Sequence, residues 1–294
     1  MTERLADISA RIDGIRQLCA VVNAMRGIAA ARAQQARSQL VAVDSYAATI
    51  AVAIGRALAL VASGRPDGAL QSTRPALVLF CAEQGFAGAL SERILDAVGA
   101  ELATSDLFLI GTRGGAVATE RGVTAGWTSP MPSHSLGVPK LAGRIAEALY
   151  AHIATGDIGR LDAVFSEWQP GPGIHVERRR LFPFDMSAFP RPTDANVPLL
   201  NLASETLLSE LTVDYMYAQL CDAALHAFAA ENEARMEAMA SAHNQIERQL
   251  SSLLATQRHV RQEEITSEII ELAAGETASQ SDCESVRHLT PHRR

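Results

Sequence analysis

The sequence predicts a mixed class, α+β/α: a long coiled coil of N- and C-terminal helices with an inserted Rossmann-like α/β domain. Three observations predict it. Two long stretches, one at each end of the chain, lack proline and carry large apolar residues at three- and four-residue steps. Between them the texture changes to short apolar runs alternating with helical segments, the pattern of strands and crossover helices. Aromatic residues make up only 5% of the chain while alanine is abundant, which suits helices packed through small side chains.

The C-terminal stretch is the clearest. From Glu231 to Gly275 there is no proline, and the only glycine is Gly275, where a helix C-cap is expected. Met236, Met239, Ile246, Leu250 and Leu253, then Ile265, Ile269 and Leu272 after a looser patch, follow the helical period. The same texture reaches back to Ser204 through Leu208, Leu211, Tyr215, Leu225 and Phe228. A helix from Ser204 to Ala274 is ~105 Å long at ~1.5 Å per residue. One compact domain cannot bury that length along one side, so the helix calls for a partner helix and a sleeve.

Residues 1–62 supply the partner. Ile8, Ile12, Ile15, Leu18, Val22 and Met25 step by four, three, three, four and three, a coiled-coil seam. Gly14, Gly27 and Gly55 each weaken the helix by ~1 kcal/mol against alanine. Gly27 stands beside Ala29, Ala30, Ala31 and Ala33, where two backbones can approach closely. Arg11 to Arg37 holds five arginines against Asp13, and residues 204–275 hold twelve acids and four arginines. A basic face against an acidic helix is an electrostatic match, although any single exposed pair contributes little.

Residues 63–75 form a linker with two prolines and two glycines. The α/β domain occupies 76–184. Its strands are Ala76–Ala82, Asp106–Gly111, Leu161–Trp168 and a fourth over Val176–Phe184; its helices are Ala89–Leu102, a short one in Thr112–Gly122, and Leu141–Thr155. Strand–helix alternation implies a small parallel sheet. Residues 185–203 are a proline-rich linker, 204–275 the C-terminal coiled-coil helix, and 276–294 a polar tail expected to be disordered.

The composition and motifs of the chain exclude several function classes. A net charge of −7 does not suit a nucleic-acid binder. Ala47–Ala62 comes closest to an unbroken apolar span, but Arg56 interrupts it, so no membrane crossing is expected. Cys19, Cys81, Cys221 and Cys283 lie far apart, reading as free thiols in a reducing compartment. No phosphate loop with its lysine is present, and Lys140 is the only lysine. The turns at Gly85–Gly88 and Gly111–Gly115 sit where a Rossmann-like fold binds ligand, but neither is a GxGxxG; a plain strand–helix turn is the commoner reading by about nine to one. Ser133, His134 and Ser135 lack a GxSxG context, and His134, His152 and His175 lack metal-ligand spacing. No catalytic residue, metal site or cofactor is expected.

The order long helix, α/β insert, long helix comes with recognisable sequence. RIDGIRQLCAVVNAMRGIAAARAQQA at the N-terminus, LVLFCAEQGFAGALSERI in the insert, and ENEARMEAMASAHNQIE and RQEEITSEIIELAAG near the C-terminus resemble segments of one family. The chain resembles the gamma subunit, the central stalk, of F-type rotary ATP synthases. The likeness runs from Leu5 to Gly275 and is most specific in the C-terminal segments.

The resemblance implies an antiparallel coiled coil standing inside a head of alpha and beta subunits, with its foot and α/β domain on the epsilon subunit and the c-ring. It implies a rotor shaft that couples transmembrane ion flow, proton or sodium, to ATP synthesis or hydrolysis without a catalytic site of its own, peripheral to the cytoplasmic face of a bacterial plasma membrane. By matching position, Met25, Arg26, Arg261, Gln262, Thr266 and Glu268 fall where the family's helices contact the head. The family's insert motif has lost its acid-base-Gly core at Ala82-Glu83-Gln84-Gly85. That departure, with the near absence of lysine, suggests a divergent branch such as the gamma of a second ATPase. The alternative from the residues alone is a coiled-coil scaffold protein with an α/β docking module; an α/β enzyme with helical arms stands third.

Overall fold

A computed structural model describes residues 2–60, 74–154, 158–190 and 200–287. Residues 63–73 of the expected linker 63–75 and residues 191–199 of the second linker lie outside them, while Arg74 and Pro75, expected in the first linker, open a strand. Helix α1 (Thr2–Leu60) opens the chain and helix α5 (Ser204–Arg287) closes the described part. Between them come strands β1 (Arg74–Phe80), β2 (Asp106–Ile110), β3 (Trp127–Ser129), β4 (Ile158–Gln169) and β5 (Gly173–Phe182), with helices α2 (Leu90–Val98), α3 (Thr112–Glu120) and α4 (Val138–Ala154). The chain divides into two compact units, Met25–Met239 and the pair Met1–Ala24 with Ala240–Arg294.

In the unit Met25–Met239 the strands run in the order β3-β2-β1-β4-β5. The first four are parallel, as the alternation predicts, but β5 returns antiparallel to β4, pairing Leu161 with Phe182 and Gln169 with Gly173. The sheet is therefore mixed rather than wholly parallel. Only Pro170-Gly171-Pro172 separates these two strands, whereas a parallel return needs a crossover of about a dozen residues or more. Strand β3 was not anticipated because three residues cannot display a period. Helix α4 starts at Val138, ahead of the expected Leu141, because Pro139 is tolerated in a first helical turn.

The strand pleat sorts the core into two layers. Ala76, Val78, Phe80, Phe108 and Ile110 face α4 and the stretches of α1 and α5 that carry Ala36, Leu40, Leu220 and Phe228. Leu77, Leu79, Leu107 and Leu109 face α2 and α3. Helix α5 is buried nearly all round from Leu220 to Glu233, which makes it the core helix of this unit as well as its boundary. Along α1, Ala29, Ala33, Ala36, Leu40, Val43, Ala47, Ile50, Ile54 and Ala57 are buried or half-buried in strict four- and three-residue alternation. That 3.5-residue period is the one that imposes a left-handed supercoil.

The other unit pairs the start of α1 with the second half of α5. Gln257 donates to the Ser9 hydroxyl (2.9 Å), Cys19 meets His243 (3.4 Å), and Arg4 faces Glu263 (3.9 Å). Rising numbers on α1 meet falling numbers on α5, so the helices are antiparallel. The seam here is Ile8, Ile12, Ile15, Cys19 and Val22. Leu18, expected in the seam, is 50% exposed, and Cys19 takes its place to keep the alternation. The pattern of apolar residues chose the larger side chain, while the heptad geometry chose the position. On α5 the burial runs through His243, Ile246, Leu250, Leu253, Gln257 and Val260. Ile265, Ile269 and Leu272 depart from it and are exposed.

Helix α5 also passes Gly275, the expected stop, and continues to Arg287 where a disordered tail was expected. One glycine costs a helix only ~1 kcal/mol, and no proline follows until Pro291. By composition, Arg4–Leu60 contains an 18-residue window apolar enough for a membrane span, contrary to the expectation drawn from Arg56. Alanine accounts for much of it, and Ile50 and Ile54 of α1 pack against the chain's own Phe189, Leu211 and Tyr215.

The glycines of α1 differ in kind. A Cβ on Gly27 would meet nothing within 4 Å, so no backbone approaches there and that expectation is corrected. A Cβ on Gly55 would lie 1.8 Å from the Pro190 carbonyl oxygen. Gly27→Ala is therefore expected to stabilise the isolated chain by up to ~1 kcal/mol. Gly55→Ala should destabilise it by ~1–3 kcal/mol, since the overlapped atom is backbone. Urea unfolding of the two variants checks the opposite signs.

Candidate functional site

In an open α/β sheet, ligands bind beyond the carboxyl ends of the strands where the strand order reverses. Here that point lies between β1 and β4, and α5 fills it. The Glu231 carboxylate accepts hydrogen bonds from the backbone N–H groups of Glu83 (2.9 Å) and Gln84 (3.1 Å) in the turn after β1. Arg235, one helical turn on, donates through Nη2 to Glu231, through Nη1 to Asn232 Oδ1 (3.1 Å), and through Nε to the Gly85 carbonyl (3.3 Å). All three side chains belong to residues at most 5% exposed.

Glu83 does the same for the next turn. Its carboxylate accepts from the Thr112 N–H (2.9 Å), the Thr112 hydroxyl (2.8 Å) and the Met131 N–H (2.9 Å). The two glycine-containing turns singled out as ligand positions thus have donors engaged by the chain's own carboxylates. An anion arriving there would have to displace Glu231 or Glu83. The geometry is that of a phosphate-binding turn closed from inside, and it suits locking α5 to the sheet.

Charge is also held at the sheet's far edge. Asp162 on β4, 2% exposed, receives Arg160 (2.6 Å) and Arg178 (2.7 Å), and Arg178 also grips Glu101 with two bonds of 2.7 Å. Burial pushes the Asp162 carboxyl up, but the hydrogen bonds from Arg160 and Arg178 outweigh it and hold it below the usual carboxylate range. The Arg178 hydrogen bond likewise lowers Glu101. A carboxyl depressed by folding contributes stability above its unfolded pKa of ~4 and loses it as pH falls through the folded value. Acid titration should therefore weaken the fold below pH ~4, and Asp162→Asn should flatten that dependence; thermal unfolding between pH 3 and 7 reads it.

The six residues expected to contact partners are placed as follows. Met25 and Arg26 lie half-buried on α1 in the unit Met25–Met239. Arg261, Gln262, Thr266 and Glu268 are exposed on α5 in the other unit, where the Thr266 hydroxyl bonds back to the Gln262 carbonyl (2.8 Å). Sequence reasoning missed their apolar neighbours. Ile265, Ile269 and Leu272, 51%, 60% and 74% exposed, form one face of α5. Their period was visible, but periodicity alone does not say whether a stripe faces its own chain or another. Phe86 was missed too: it is 66% exposed and holds φ 62° at the tip of the turn that Glu231 and Arg235 clamp. Among the described residues no group of three or more metal-ligating side chains could hold an ion.

A family profile described as ATP synthase matches residues 4–278. The chain is 28% identical to the ATP synthase gamma chain of Parafrankia sp. strain EAN1pec, over 95% of this chain and 98% of that one. It is 28% identical to the ATP synthase gamma chain of Streptomyces avermitilis, over 91% and 93%. A chain in the cryo-EM structure of Euglena gracilis mitochondrial ATP synthase (OSCP/F1/c-ring, rotational state 3) shares the fold, with a TM-score of 0.66, 15% identity, and 100% and 99% of the two chains covered. Two long terminal helices around a mixed sheet, matched over nearly their whole length, assign the chain to the ATP synthase gamma-chain family.

Proposed function

We propose that this gamma chain is the rotor shaft of an F-type ATP synthase. It turns inside a head of alpha and beta subunits and carries torque between that head and an ion-driven c-ring, with epsilon at its foot. Its place is peripheral, held to the cytoplasmic face of a bacterial plasma membrane by the complex. The observation that carries the reading is the α5 stretch 261–272. There Arg261, Gln262, Thr266 and Glu268 flank the exposed row Ile265, Ile269 and Leu272, a surface with the apolar content of an interface core. Met25 and Arg26 add a second contact on α1. The chain has no catalytic site for ATP synthesis or hydrolysis of its own; the closed turns at Glu83 and Gly111 support that part of the reading.

The test is to co-express the chain with the alpha and beta subunits of its own organism and to assay the purified complex for ATP hydrolysis. One copy of the chain per complex is expected, with hydrolysis lost when the chain is cut before Arg258. Failure to assemble with any alpha–beta pair would leave a scaffold function instead.

A further inference from the structure

We propose that Cys19 is a reactive thiol, activated by His243 and Glu247 across the antiparallel seam, and a site of modification by peroxides and small electrophiles. The inference does not rest on the rotor reading. Cys19 on α1 and His243 on α5 fall at facing seam positions within one unit, with Sγ 3.4 Å from Nδ1. One helical turn on, Glu247 holds the other ring nitrogen, with Oε1 3.3 Å from Nε2. A carboxylate at Nε2 keeps the proton there, so Nδ1 is the acceptor and the thiol donates to it. The order carboxylate, imidazole, thiol is the one that turns cysteine into a nucleophile.

The surroundings select the chemistry. Backbone N–H groups on both sides are spent on helical bonds, so no pair of donors is free to hold the oxyanion that acyl transfer requires. Attack on a small electrophile needs no such donors. With hydrogen peroxide, His243 takes the thiol proton and the sulfur attacks one peroxide oxygen. The O–O bond breaks, and the departing hydroxide takes the proton from His243. The products are a sulfenic acid and water; sulfur is oxidised by two electrons and peroxide is reduced. Cys19 is half-buried rather than sealed, and Glu247 is 62% exposed, so a small reagent has access.

Cys81 and Cys221 provide internal controls. Both are buried, and desolvation pushes their thiols up, to about 12 and about 11.

The experiment treats the full chain with iodoacetamide, and separately with peroxide plus a dione trap for sulfenic acid. Peptide mass spectrometry then follows each cysteine. His243→Ala is expected to slow modification of Cys19 about tenfold or more, less than the ~10²–10⁴-fold that a fully positioned base contributes. Glu247→Gln, at an exposed position that packing does not need, should slow it by a smaller factor of about three. Removing the imidazole also uncovers the sulfur, so a thiol governed by access alone would react faster in His243→Ala. A rate unchanged or raised in His243→Ala, together with no effect of Glu247→Gln, overturns the proposal.

Discussion

Arg235→Ala is expected to destabilise the unit Met25–Met239 by about 3–5 kcal/mol, the cost of leaving one partner of a buried ion pair behind. The stranded partner is Glu231, 4% exposed, whose carboxylate would keep its two backbone donors but lose its countercharge. The Gly85 carbonyl and the Asn232 amide oxygen lose a donor in the same substitution. Replacing Glu231 as well should recover part of the loss, because no uncompensated charge then remains; the difference from additivity measures the clamp. Trp127 and Trp168, the chain's two tryptophans, both lie in this unit. Urea unfolding followed by their fluorescence therefore reports it separately from the other. A change below ~1 kcal/mol would mean that hydrophobic contact alone holds α5 on the sheet.

That clamp also shows how far the sequence could be read. Both long helices were legible because a 3.5-residue period repeats many times along each, and repetition averages out exceptions such as Leu18. The parallel strands were legible as short apolar runs because both faces of the sheet are covered. The antiparallel β5 was harder: Arg178, Arg179 and Arg180 look polar in sequence, yet Asp162, Glu101 and Asp222 neutralise them in space. The roles of Glu231 and Arg235 were not legible at all. They lie nearly 150 positions beyond the turn they hold, and a helix carrying Glu and Arg four apart reads as an ordinary surface pair. Only the fold brings that turn beneath them. The same holds for Cys19 and His243, which are 224 positions apart.

The exposed row on α5 separates stability from assembly. Ile269→Asp is expected to leave the isolated chain within ~0.5 kcal/mol of the parent, since the side chain is 60% exposed. In the assembled complex the proposed rotor reading encloses that position in the sleeve formed by the head. A carboxylate there must either be desolvated without a partner, at several kcal/mol, or hold the sleeve open. Ile265→Asp/Ile269→Asp should therefore lower recovery of the complex or its ATP hydrolysis by more than ~10-fold, which corresponds to ~1.4 kcal/mol. Gln249→Asp, an exposed polar position on the same helix, should assemble and hydrolyse as the parent does. Circular dichroism establishes that each variant keeps its helices before mixing. Should the double variant assemble with full hydrolysis, the row does not lie in the sleeve, and the contact would have to be carried by the polar residues Arg261, Gln262, Thr266 and Glu268 alone.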